Sequence, residues 1–181
     1  LSSLIPSGGT AVAISSISIS SDGKVIILNV GINGNYPSDY GVHVFKSTDY
    51  GETFVDISSD INPTVGSYQW FTSLVSGDGK YQIHFSRVGP SSWSDDYGET
   101  FTNKNYPQTT IGYASINEDG RYFMFYRQDT QEFAYSNDYG ESTTFGTIPN
   151  SRPETSGVSN SGEHSFAFSD GLASIEYSND Y

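Results

Sequence analysis

One short box occurs four times along this chain at a nearly fixed spacing. The first copy reads Ser47-Thr48-Asp49-Tyr50-Gly51-Glu52-Thr53-Phe54, and the second Ser94-Asp95-Asp96-Tyr97-Gly98-Glu99-Thr100-Phe101. The third is Ser136-Asn137-Asp138-Tyr139-Gly140-Glu141, followed after a short insertion by Phe145. The fourth is Ser178-Asn179-Asp180-Tyr181. The Asp-to-Asp steps are 47, 42 and 42 residues. A period of that size marks one supersecondary unit repeated, and such a unit buries its apolar face by stacking on its neighbours.

A second marker keeps step with the first. It reads Ser21-Asp22-Gly23-Lys24, Gly77-Asp78-Gly79-Lys80, Glu118-Asp119-Gly120-Arg121 and Asn160-Ser161-Gly162-Glu163. Asp-Gly pairs between apolar runs read as hairpin turns, because Gly accepts positive φ without strain. A strand-like run follows each: Val25–Leu28, Tyr81–Phe85, Tyr122–Tyr126 and Ser165–Phe168. An apolar residue stands four before each Gly, at Ile19, Val75, Ile116 and Val158, and its shared phase predicts one buried face per repeat.

Each unit therefore reads strand, Asp-Gly turn, strand, loop, strand, box turn, strand. That is a four-stranded antiparallel meander, and four in series read as the blades of an all-β propeller. The blades run roughly 7–60, 61–106, 107–149 and 150–181, the last completed by residues 1–6. Either the four blades close a ring, or they form part of a larger or oligomeric propeller. Leu1–Pro6 is expected to pair with the strand ending near Tyr177, within one chain or between chains by strand addition. Beginning at Leu1 with no signal-peptide pattern, the chain is expected to be a processed or excised piece of something longer.

The pattern Ser-x-Asp-x-Gly-x-Thr-aromatic resembles the Asp-box, or BNR repeat, of sialidase-like β-propellers. The resemblance implies that each box is the hairpin between the third and fourth strands of a blade. It assigns Ser47, Asp49, Gly51 and Phe54, then Ser94, Asp96, Gly98 and Phe101, to turn architecture. Ser136, Asp138 and Gly140, and finally Ser178 and Asp180, follow in the same way. Phe54, Phe101 and Phe145 are expected to pack between sheets. Repetition in register is what a structural role predicts, whereas a catalytic Asp should appear once.

The chemistry of sialidases is not matched outside the box. That family uses three Arg to hold the substrate carboxylate, and this chain has four Arg in all: Arg87, Arg121, Arg127 and Arg152. Arg121 falls in a turn slot shared with Lys24 and Lys80, and Ser151-Arg152-Pro153 only faintly echoes the family's Arg-Ile-Pro element. Nothing in the sequence selects a carboxylate pair of the glycosidase kind. His43, His84 and His164 lack metal-ligand spacing, no Cys is present, and no EF-hand-like loop occurs. No cofactor or metal is expected.

Net charge is −13, from 21 acidic against 8 basic residues, so nucleic acid is an unfavourable partner. No apolar run is long enough to insert into a membrane. Aromatics are abundant at 15%. Tyr36, Tyr40, Trp70 and Trp93, with Arg87 and Arg127, are the candidate ligand-binding residues, since flat rings beside polar groups suit sugars or proteins. Trp93 stands where other repeats carry Lys46, Tyr135 and Tyr177, a variability that predicts an exposed rim position. The expectation is a non-catalytic module outside the cell or on a cell or virion surface. It would bind a glycan or protein, or serve as a subunit of a fibre or virion. The alternative is a fragment of a sialidase-like or other Asp-box glycoside hydrolase.

Overall fold

The computed structural model describes residues 10–33, 41–61, 72–85, 90–104, 106, 111–127, 130–147, 153–169 and 174–178. Every regular element among them is a strand. Blade one holds β1 (Thr10–Ile19), β2 (Ile26–Asn33), β3 (Gly41–Ser47) and β4 (Val55–Asp56). Blade two holds β5 (Thr72–Val75), β6 (Gln82–Phe85), β7 (Ser91–Ser94) and β8 (Thr102–Lys104). Blade three holds β9 (Ile111–Ile116), β10 (Phe123–Arg127), β11 (Glu132–Ser136) and β12 (Thr144–Thr147). The fourth sheet has three described strands, β13 (Pro153–Val158), β14 (Ser165–Ser169) and β15 (Ser174–Ser178). Neighbouring strands pair antiparallel in sequence order in all four sheets. Leu1–Pro6, Asp180 and Tyr181 lie outside the described residues.

Alternation along each strand gives every blade two faces, and stacking makes both apolar. One face looks toward the preceding blade and the other toward the following one. Blades one and two meet through Val25, Ile27 and Val44 against Val75, with Ile57, Ile61 and Phe101 completing the cluster. Between blades two and three, Leu74, Ile83, Phe85 and Trp93 pack on Phe123, Phe125 and Ala134, with Tyr106 wedged among them. Blade three turns Met124, Tyr126 and Phe133 the other way, where β13 lies against β9 and β10. Fully burying one such side chain contributes about 1.5–3 kcal/mol, so these contacts hold the series of blades together.

Three expectations need correction. Ile19 is not buried: it is 56% exposed, because no described blade stands in front of blade one to cover it. Trp93 is not at a rim but 6% exposed, within the core between blades two and three. Its position alternates toward the following blade, where it tilts against Tyr81 and Phe123, with the Lys104 ammonium over its ring. Phe145 is 39% exposed rather than packed between sheets. The insertion carries it onto the outermost strand, where the Arg127 guanidinium lies 5.2 Å from its ring centre.

Candidate functional site

Two hairpin turns stand at the same end of each of the first three blades. The inner one joins the first and second strands. Ser20 donates its hydroxyl to Asp22 Oδ1 at 2.7 Å, the same oxygen accepts the Lys24 N–H at 2.9 Å, and the Val25 N–H returns to Ser20 Oγ at 2.9 Å. Ser76 to Tyr81 repeats this lattice, as does Asn117 to Tyr122 with an amide in place of the hydroxyl. The inner turns then bond across blades. Ser21 N–H donates to Gly77 O at 2.8 Å, Asp78 N–H to Glu118 O at 2.9 Å, and Glu118 N–H to Asn160 Oδ1 at 2.8 Å. The Ser21 hydroxyl also meets the Glu118 carboxylate, tying blade one directly to blade three.

The outer turns are the boxes. In blade one, Ser47 donates to Asp49 Oδ1 at 2.7 Å and accepts the Gly51 N–H at 2.9 Å. Thr53 closes the turn, its N–H on Asp49 Oδ1 at 2.9 Å and its hydroxyl on Oδ2 at 2.5 Å. Ser94, Asp96, Gly98 and Thr100 make the same bonds in blade two. In blade three Ser136, Asp138 and Gly140 do so with Ser142, which the sequence reading passed over because the aromatic marker comes late. Each outer turn is tied to the inner one of its own blade, Tyr50, Tyr97 and Tyr139 donating their N–H groups to Lys24, Lys80 and Arg121 carbonyls.

These bonds decide what the carboxylates can do. The Thr53 hydroxyl and N–H, helped by the Ser47 hydroxyl, hold Asp49 down at about 2. Thr100 and Ser94 hold Asp96 well below the ordinary carboxylate range in the same manner. Desolvation pushes Asp138 up, and the bonds from Ser142 and Ser136 outweigh it, so its pKa too is lowered. A carboxylate stabilised in its ionised form is a poor proton donor near neutrality. Among the described residues, no cluster of three or more His, Asp or Glu side chains is placed to hold a metal ion.

What the box presents to solvent is its tyrosine. Tyr50, Tyr97 and Tyr139 have φ of 62°, 63° and 59°, and the glycine after each is also positive. Two successive positive φ values, closed by the Glu52 N–H on Asp49 O at 3.2 Å, make the primed turn that favours Asn-Gly or Asp-Gly. A tyrosine in the left-handed region costs about 1–2 kcal/mol. The three residues are nevertheless 65%, 53% and 36% exposed, Tyr139 least, its ring stacking 5.0 Å from that of Tyr81. Glu52, Glu99 and Glu141 are exposed beside them, and acidic side chains far outnumber basic ones in these turns. The sequence signal for this rim was the Asp-Tyr-Gly triplet itself.

Of the aromatic and basic candidates, Tyr36, Tyr40, Trp70 and Arg87 lie outside the described residues. Trp93 is packed away, and Arg127 is bound to Glu132 at 2.7 Å. The structure brings no pair of these candidates together in the described part. Ser47, Ser94 and Ser136 sit at strand ends with their box partners, while Ser178 ends β15.

His84, which lacks metal-ligand spacing in the sequence, is 1% exposed between blades one and two. Its Nδ1 lies 2.8 Å from Ser73 Oγ, which donates to Asn29 Oδ1 at 2.8 Å. Burial, with the nearby Lys46 charge, pushes it down to about 3. The unfolded chain takes up this proton near the ordinary 6.5 and the folded chain does not. Stability is therefore complete above that value and falls as pH drops toward 3, by up to ~1.4 kcal/mol per pH unit. The box carboxylates add a second loss from 3.8 down toward about 2. Urea midpoints measured against pH should show both limbs, and His84→Asn should flatten the upper one only.

No protein-family model and no curated protein sequence matches the chain. Solved structures do. The GH74 enzyme of Niastella koreensis aligns with 91% of this chain and 22% of its own, at a TM-score of 0.58 and 14% identity. YCF48, solved bound to a D1 peptide, aligns with 91% of this chain and 48% of its own, at 0.54 and 12%. Raptor of Chaetomium thermophilum aligns with 93% and 16%, at 0.62 and 15%. All three are β-propeller-like, and at such identities the likeness carries the fold alone. The chain spans less than half the length of each.

Proposed function

We propose that this chain is a non-catalytic recognition module of the Asp-box propeller type, working outside the cell or on a cell or virion surface. Its binding face is the turn-bearing end, and its partner is a protein surface rich in Lys and Arg. One observation carries the reading: an exposed tyrosine occupies the left-handed position of each described box, where Asn or Gly would be less strained. Strain repeated at an exposed aromatic is expected of a contact surface. Tyrosine faces attract cations, and the neighbouring glutamates suit the same partner. The protein partner of YCF48 is in keeping with this reading. A glycan remains the second ligand class to test, since tyrosine rings also cover sugar faces. The alternative is a fragment of a sialidase-like or other Asp-box glycoside hydrolase, whose catalytic carboxylates would lie outside the boxes, since these are held ionised within their own turns.

The test separates binding from folding. Tyr50→Asn, Tyr97→Asn and Tyr139→Asn together keep the charge and relax the backbone. The triple variant should unfold at the same or higher urea concentration. Against a panel of Arg- and Lys-rich peptides, with a glycan array alongside, its affinity for peptides should fall roughly tenfold or more. Equal binding by both proteins would mean that charge alone attracts the peptides and that the rim recognises nothing. A glycan signal abolished by the triple variant, with peptides unaffected, would move the ligand class to sugars.

A further inference from the structure

The position before each box serine differs between repeats, Lys46 in blade one and Trp93 in blade two, and the difference is felt by the next box. Lys46 lies on β3, whose main chain runs directly into the first box. Its ammonium crosses the seam to the second box, donating to the Tyr97 carbonyl and to Gly98 O at 3.2 Å. These carbonyls belong to the two residues of positive φ, and the hairpin's own closing bond runs from the Glu99 N–H to Asp96 O instead. Turn carbonyls need donors, and a charged donor binds them more firmly than a neutral one. The fit is close: a Cβ at Gly98 would stand 2.8 Å from Lys46 Nζ and 2.3 Å from Gln82 Oε1. Tyr97 and Glu99 stay exposed, and Glu99 forms no ion pair among the described residues.

At the third box a lysine arrives by another route. Trp93 turns its ring into the core, and Lys104 Nζ lies 5.5 Å from the ring centre while meeting Glu141 Oε1 at 2.7 Å. Gly140 O takes the neutral Tyr106 hydroxyl at 3.3 Å, and the Tyr139 ring stacks on Tyr81. Box two therefore has its carbonyls held and its glutamate open. Box three has its glutamate neutralised and its tyrosine engaged within the fold.

We propose that Lys46 is the positioning residue of the binding rim, holding the Tyr97 turn for a cationic side chain of the partner while Glu99 is left to pair with the same group. Lys104 acts oppositely on box three, by occupying Glu141. This inference rests on the recognition reading above and adds which box carries it.

Lys46→Met and Lys104→Met each remove one positive charge from a chain of net charge −13. Charge alone would make both variants bind a cationic peptide more tightly. Against an oligoarginine peptide the proposal predicts opposite signs: Lys46→Met roughly fivefold weaker or more, Lys104→Met tighter. Lys46→Arg keeps the charge and the donors, and should restore the affinity. In amide NMR spectra of the full chain, Lys46→Met should shift the Tyr97 and Gly98 signals and leave those of Tyr139 and Gly140 in place. Lys46→Arg should return them, and the rest of the spectrum reports that the fold is intact. Equal tightening by both methionine variants overturns the proposal, as do Tyr97 and Gly98 signals indifferent to Lys46→Met. A wild-type chain that binds no peptide sinks the recognition reading instead, and the amide signals still decide whether Lys46 holds the turn.

Discussion

Phe125→Ala should lower the unfolding free energy by about 3–5 kcal/mol, the largest effect of any single truncation considered. Phe125 is fully buried, at 0% exposure, in the cluster that joins blades two and three. Its ring centre lies 5.0 Å from that of Phe85, 5.8 Å from Tyr106 and 6.3 Å from Phe123. Rings from two sheets and a connecting segment thus surround the space that alanine would leave empty. Close packing of rigid rings leaves little room to collapse into that cavity. Domains of this size are stable by only about 5–15 kcal/mol, so the variant should be marginal at room temperature. Urea unfolding checks it: the midpoint should drop while the slope stays constant.

Gly120→Ala should cost about 2–4 kcal/mol, for two reasons that add. Its φ is 78°, a conformation that strains any residue with a Cβ. The added carbon would also stand 2.3 Å from Tyr81 Cδ2 and 2.7 Å from Tyr81 Cβ. Tyr81 has no free path of retreat, being stacked 5.0 Å from Tyr139 and tilted against Trp93 at 5.6 Å. Gly51→Ala is the milder control. It has comparable backbone strain at φ 85°, but its nearest neighbour is the flexible Ile26 Cδ1 at 3.3 Å. Gly146→Ala, on a strand with nothing within 4 Å, should be neutral or slightly stabilising. Thermal midpoints of the three variants should fall in that order.

Much of the architecture was legible in the chain because hairpin chemistry is local. Ser, Asp and Gly at fixed offsets build the same turn wherever they occur, and the strands between turns follow from alternation. The neighbours of each face were not legible. Trp93 and Ile19 both stand on faces that alternation identifies, yet one is buried and the other open. What decides is whether another blade stands opposite, and no single-strand pattern records that. Ser142 was hidden by the same insertion that moved Phe145, because the marker was the aromatic and not the hydroxyl that bonds Asp138. The tyrosine rim escaped because only Ser, Asp, Gly and the aromatic of each box were assigned to the turn, whereas the turn places its tyrosine as well as its glycine at positive φ.

The central claim is that the box carboxylates build turns and do no chemistry themselves. Following the carboxylate carbons of Asp49, Asp96 and Asp138 by NMR during an acid titration tests it site by site. The account predicts that all three titrate below the ordinary 3.8, as a family of like groups. One of them titrating well above its counterparts, toward neutral pH, would contradict it, because a carboxylate singled out in that way is a candidate general acid.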